Sequence, residues 1–148
     1  MKSFFLIASF SLITVSVFSQ DVFGYWKTID DNTGETKSVV HIYKNDEGKT
    51  EGKVIEVLPR PGVDPEVKCT ECPKDDPRHG QKVAGMVIMS DMKKDGDEYC
   101  CGEIMDPENG NSYRCKIWTD GKEKLKVRGY LGPFFRTQTW MREDNYSK

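Results

Sequence analysis

The chain has 148 residues, room for one domain and not two. It is 36% hydrophobic, 11% aromatic and 31% charged, which excludes a disordered chain, a collagen or a protein that crosses a membrane many times. With 22 Lys and Arg against 24 Asp and Glu, it carries neither the basic footprint of a nucleic-acid binder nor a polybasic membrane patch.

The first elements are an address rather than a fold. Lys2 precedes Phe4-Phe5-Leu6-Ile7-Ala8 and a mostly apolar run to Phe18. At about fifteen residues the run is short for a bilayer span. A basic start, an apolar middle and a small-residue exit at Val17-Phe18-Ser19 match a secretory signal over residues 1–19, with cleavage expected after Ser19. An uncleaved anchor helix is the less favoured alternative on length. No Cys stands at the cleavage point to carry a lipid, and no later segment is apolar enough to cross a membrane. The expectation is a single secreted or periplasmic domain over residues 20–148, with no membrane insertion after cleavage.

The rest of the chain is punctuated by reversals. Asp30-Asp31-Asn32-Thr33-Gly34, Asn45-Asp46-Glu47-Gly48, Lys93-Lys94-Asp95-Gly96, Asp106-Pro107-Glu108-Asn109-Gly110 and Asp120-Gly121 combine side chains that cap turns with residues that tolerate positive φ. Between them, period-2 alternation and β-branched residues predict eight strands: Gly24–Ile29, Lys37–Lys44, Lys49–Leu58, Lys82–Asp91, Glu98–Met105, Ser112–Thr119, Lys124–Tyr130 and Phe135–Arg142. No ten-residue stretch shows an apolar stripe of helical period. Short strands joined by tight reversals predict an all-β, antiparallel up-and-down sheet that removes its edges by closing into an eight-stranded barrel. Such a barrel either fills with side chains or holds one small ligand. A sandwich is the alternative architecture.

One connection, Pro59–Gln81, is long and holds five of the seven Pro, so it is not a strand. It contains Cys69-Thr70-Glu71-Cys72. A redox C-x-x-C needs a following helix to stabilise the thiolate, and here the neighbours are loop residues such as Pro73 and Pro77. Zinc needs four ligands, and Cys69, Cys72 and His79 supply three, leaving one to come from Cys100, Cys101 or Cys115. The preferred reading is a short Cys69–Cys72 disulfide that stiffens the connection in an oxidising compartment. If Met105 faces Ser112 across the next hairpin, Cys115 faces Gly102, one register step from Cys101, and a Cys101–Cys115 bridge comes within reach. With five Cys, at least one thiol stays free or pairs between chains.

No Ser-His-Asp spacing, phosphate loop, metalloprotease motif or EF-hand is present, so no catalytic residue, metal or cofactor is assigned. The aromatics say more. Trp26 and Trp140 stand on the first and last strands, which closure brings side by side, and Arg136 and Arg142 flank Trp140 in sequence. A guanidinium over an indole is favourable by roughly 0.5–2 kcal/mol. Trp26, Arg136, Trp140 and Arg142 are therefore the residues expected at barrel closure. Tyr113, Trp118, Arg128 and Tyr130, on adjacent strands, are the expected cavity lining, subject to the rule that a one-residue slip turns each outward.

Gly24-Tyr25-Trp26 with a late Arg resembles the lipocalin signature, which implies that Gly24 stands at barrel closure with Trp26. The wider order resembles one secreted bacterial family, domain of unknown function 2147: Gly24-Tyr25-Trp26, the Cys69/Cys72 loop, Gly102 to Tyr113, Leu125-Lys126-Val127-Arg128-Gly129-Tyr130 and Arg136-Thr137-Gln138-Thr139-Trp140. The resemblance implies a lipocalin-like, calycin-type barrel with an internal cavity and no established enzymatic activity. Tyr99, Cys100-Cys101 and Phe135 depart from the family's usual residues. The functional expectation is a non-enzymatic barrel that takes a small, partly apolar ligand. Two alternatives are an envelope interaction module with a filled barrel and, less favoured, a thiol-redox enzyme working through Cys69 and Cys72.

Overall fold

The computed structural model describes residues 21–146; the expected export signal lies outside the described residues. All regular secondary structure in the described residues is strand: β1 Gly24–Ile29, β2 Thr36–Lys44, β3 Thr50–Val57, β4 Val87–Asp95, β5 Glu98–Asp106, β6 Asn111–Asp120, β7 Lys124–Leu131 and β8 Phe134–Arg142. Each strand pairs antiparallel with the next, and β1 pairs with β8, so the sheet is a closed barrel and not a sandwich. Closure rests on Trp26 opposite Arg142 and Lys27 opposite Met141, extended by the Glu143 amide donating to the Tyr25 carbonyl (2.9 Å).

The interior follows from alternation. Leu125 and Val127 on β7, Ile117 and Cys115 on β6, and Val40 and Ile42 on β2 point inward and are buried, while the charged residues between them face water. Gly102 lets β5 approach β4: a Cβ there would sit 2.2 Å from the Ser90 carbonyl oxygen.

The two ends differ. At one end residues 21–23 cross the barrel. The Trp26 indole N–H donates to the Val22 carbonyl (2.8 Å), the Phe23 ring packs edge-on against Tyr99 on β5 (5.7 Å between centroids), and Lys44 at the end of β2 lies over the same ring (5.6 Å). Arg142 locks this end. Its guanidinium lies 4.1 Å from the centroid of the buried Trp26 ring and donates to the carbonyls of Lys122 (2.6 Å), Asp21 (3.1 Å) and Phe23 (3.3 Å). Gly24 is required here: its φ is +121°, and a Cβ would meet Arg142 Nη1 at 3.1 Å. Arg136 belongs to the other end, where it pairs with Asp31 in the β1–β2 turn. Of the two arginines that flank Trp140 in sequence, Arg142 lies over the Trp26 indole at the closure and Arg136 spans the seam through Asp31. Arg136 and Arg142 lie six residues apart on one extended strand, so they sit near opposite ends of the barrel.

The fourth strand also differs from expectation. It runs from Val87 to Asp95, not from Lys82. Residues 82–86 stay with the long connection, through a Lys68–Lys82 bridge and the Val83 amide donating to Val67 (2.9 Å), and Gly85 turns at positive φ (+93°). Lys93 and Lys94 continue the strand, opposite Cys100 and Tyr99.

Cys69 and Cys72 form a disulfide, with Cα atoms 5.4 Å apart. The connection closes around it: the Cys69 amide donates to Gln81 (2.8 Å), the Gly80 amide donates to Cys69 (2.9 Å), and His79 Nδ1 lies 2.6 Å from the Cys72 carbonyl oxygen. Arg78 grips Asp76 with two parallel hydrogen bonds, Nε to Oδ1 at 2.9 Å and Nη2 to Oδ2 at 2.6 Å. The whole unit is pressed onto the β5–β6 turn. A Cβ on Gly110 would lie 1.9 Å from the Glu71 carbonyl oxygen.

The expected Cys101–Cys115 bridge is corrected. The hairpin register is the one read from sequence, Met105 opposite Ser112 and Gly102 opposite Cys115. A bulge between Tyr99 and Gly102, with Cys101 at φ +68°, turns Cys101 out to solvent, where it is joined to its neighbour Cys100. Cys115 points inward, free and buried, and burial pushes its thiol up to about 12.

Candidate functional site

At the end opposite Arg142 the barrel opens into a cavity of about 790 Å³. Its depth is apolar: Val54 of β3, Ile88 of β4, Val127 of β7 and Trp140 of β8 form the floor and walls. The long connection covers one side with Val63, Val67 and Val83, and the β5–β6 turn with Pro107 and Asn109 covers another. Leu131 and Phe134, at the tip of the β7–β8 hairpin, stand at the mouth 67% and 75% exposed.

Polar groups run down one wall in an ordered chain. The Trp140 indole N–H donates to Gln138 Oε1 (3.1 Å), Gln138 Nε2 donates to Asp31 Oδ2 (3.2 Å), and Arg136 pairs with the same carboxylate. Asp31 therefore ties the β1–β2 turn to the start of β8 across the closure seam. On the neighbouring wall, the Thr28 and Ser38 hydroxyls are 2.8 Å apart, so each of these barrel-lining hydroxyls has a partner. Lys37 pairs with Glu108 and fastens β2 to the β5–β6 turn.

Of the four residues expected in the cavity, Tyr113 lines it and Trp118, Arg128 and Tyr130 do not. Those three form a cluster on the outer wall. The Arg128 guanidinium lies between Trp118 (5.1 Å) and Phe135 (4.3 Å), with Tyr130 beside Phe135 (6.1 Å between centroids), and Arg128 Nε donates to Thr137 (2.8 Å). The reason is strand phase: Leu125 and Val127 fix the inward set of β7 as odd-numbered, which sends Arg128 and Tyr130 out and brings Gly129 in. Gly129 faces Tyr113, leaving its ring room; a Cβ there would be 3.4 Å from that of Tyr113. Among the closure residues, Trp140 and Arg136 belong to the cavity, while Trp26, Gly24 and Arg142 belong to the closed end.

Sequence reasoning missed Arg60, Gln138 and Phe134 as cavity residues. For Gln138 the signal was present, two positions from Trp140 on an alternating strand. Arg60 sits in the long connection, where no periodicity applies.

The redox reading of the C-x-x-C lacks the following helix that would stabilise a thiolate, and the zinc reading finds no support in this geometry. A disulfide offers no thiolate, His79 Nδ1 is engaged by a backbone carbonyl, and no group of three metal-ligating side chains occurs among the described residues.

The fold is similar to that of protein HP1028 from the human pathogen Helicobacter pylori, described as belonging to the lipocalin family. The TM-score is 0.71 over 85% of each chain, at 20% sequence identity, a likeness of fold alone. No curated protein matches the chain. The bacterial family described as "Uncharacterized protein conserved in bacteria (DUF2147)" matches residues 24–142, the whole span from the first strand to the last, and the chain belongs to that family.

Proposed function

We propose that the protein is a non-enzymatic carrier or receptor that binds a small, partly apolar ligand in the open end of its barrel. The observation that carries this reading is the cavity itself. It holds about 790 Å³ with an apolar floor and a mouth that mixes charged side chains with exposed Leu131 and Phe134, within the roughly 300–1,000 Å³ of small-molecule sites. An apolar pocket closed at one end and open at the other is suited to holding a small molecule. The lipocalin-like fold supports the same reading. Native mass spectrometry of the exported protein tests it. A stoichiometric co-purified small molecule, or saturable uptake of the fluorescent apolar probe 1-anilinonaphthalene-8-sulfonate, is the expected result. A protein that is ligand-free and takes up no probe would overturn it.

The Cys69–Cys72 disulfide in a bacterial family supports export. Together with the reading of residues 1–19 as a cleaved signal, it supports a secreted or periplasmic site of action. N-terminal sequencing of the exported protein should begin at Gln20.

A further inference from the structure

We infer that the ligand is an amphiphile with an anionic head, and that Arg60 receives that head while the apolar floor receives its tail. The inference rests on the binding reading above and narrows it to a chemical class.

Charges of both signs surround the cavity. Arg60, Lys37, Lys68 and Arg136 face it, as do Asp64, Glu71, Asp106 and Glu108. Most of these charges are already engaged. Lys37 holds Glu108 and Arg136 holds Asp31. Asp106 accepts the Glu108 amide (2.9 Å) and the Asn109 side-chain amide (3.0 Å), and Asp64 accepts the Glu66 amide (2.9 Å). Lys68, Glu71 and Arg60 have no ion pair among the described residues; Lys68 and Glu71 are exposed to water, whereas Arg60 is half-buried and its Nε is buried with no hydrogen-bond partner. A guanidinium stays charged at every physiological pH, and a buried donor without an acceptor is unfavourable. The group that satisfies it must be an acceptor, and an anionic oxygen pair matches the planar fork of donors best.

The backbone holds Arg60 for this role. It sits where the connection leaves β3, and Pro61-Gly62 return the chain at once. The Val63 amide donates to the Arg60 carbonyl (3.0 Å), and Gly62 takes φ +75°. Proline followed by a positive-φ glycine is the sequence of a tight, stiff turn. Below it, Val54, Ile88, Val127 and Trp140 provide a tail with apolar contact and no polar atom except the indole N–H, which Gln138 already occupies.

Isothermal titration of the mature exported protein with dodecanoate and dodecyl phosphate below their micellar concentrations, and with dodecan-1-ol below its solubility limit, tests the proposal. At least one of the two anions should bind about ten- to hundredfold more tightly than the alcohol, the span that a hydrogen bond to a charged group provides. Which anion binds better identifies the head as carboxylate or phosphate. Arg60→Gln should remove most of that preference while leaving dodecan-1-ol affinity within about threefold, which also reports that the cavity is intact. Equal binding of anions and alcohol by the unaltered protein, or a preference that survives Arg60→Gln, overturns the head-group assignment and leaves the binding reading standing. Failure of all three probes to bind overturns both.

Discussion

Arg142 is the most informative residue to perturb, because one side chain joins the first strand, the last strand and the segment before β1. Replacing it with Met keeps the aliphatic stem and removes the charged head. The loss has two parts. Stacking on the fully buried Trp26 is worth up to about 2 kcal/mol. The bond to the half-buried Phe23 carbonyl adds roughly 1–2 kcal/mol, whereas the Lys122 and Asp21 carbonyls are exposed and can turn to water. Together Arg142→Met should cost about 2–4 kcal/mol, or a fall in Tm of roughly 8–15 °C for a domain of this size. Urea unfolding followed by circular dichroism measures it, with an unchanged m-value as the control that the barrel still unfolds as one unit. Arg136→Met is the comparison. Its exposed pairing with Asp31 should be worth no more than about 1 kcal/mol. A loss below 1 kcal/mol for Arg142→Met, or equal losses for the two variants, would refute the idea that the closed end rather than the mouth secures the seam.

Other outcomes follow from the same structure. Gly110→Ala should lift the long connection off the β5–β6 turn, because the new Cβ meets the Glu71 backbone and not a side chain that can yield; faster proteolysis within residues 59–86 is the readout. Asp76 is held down to about 2, chiefly by its hydrogen bond to Arg78. A carboxylate lowered in the folded state contributes stability that is present above its unfolded value near 4 and is lost as pH falls from there toward 2. Proteolysis of the connection should accelerate across that window, and Asp76→Asn should show the faster cleavage already at neutral pH. His41, stacked between Tyr25 (4.3 Å) and Tyr43 (5.2 Å), is lowered by burial and then by Lys53. Its folded form favours the neutral ring, so stability should decline as pH drops below about 6.5, and His41→Phe should flatten that part of the curve. Cys115 should resist alkylation at pH 8 until the barrel is unfolded, since burial keeps it protonated.

Eight strands and their closure were legible because alternation and turn chemistry agree at most boundaries. Lys124-Leu125-Lys126-Val127 could be nothing but a half-buried strand, and Asp106 to Gly110 nothing but a reversal. The fourth strand was misplaced because Lys93-Lys94-Asp95-Gly96 has the composition of a turn, whereas only Gly96 and Asp97 make it. Charged residues tolerate an outward strand face, so composition alone misleads there. The cavity lining was misjudged for a different reason. Aromatic and arginine side chains were weighed by chemistry, when the parity set by Leu125 and Val127 already decided which of them face inward. Cys101 escaped because a bulge changes parity locally, and nothing in Tyr99-Cys100-Cys101-Gly102 announces where the extra residue is absorbed. Arg60 lay beyond reach, since the course of a proline-rich connection depends on what it packs against.

The pinning of residues 21–23 beneath Trp26, with Glu143 leaving beside Tyr25, has a practical corollary. The leading chain departs from the floor of the cup, on the far side from its rim, whereas the trailing chain turns back along the outer wall, where Tyr146 packs on Tyr25 (4.9 Å between centroids) and its hydroxyl donates to Glu56 (3.2 Å). A tether or label joined directly ahead of Asp21 would therefore start below the vessel, so the protein could be anchored to a surface or a sensor with its opening turned toward the solution.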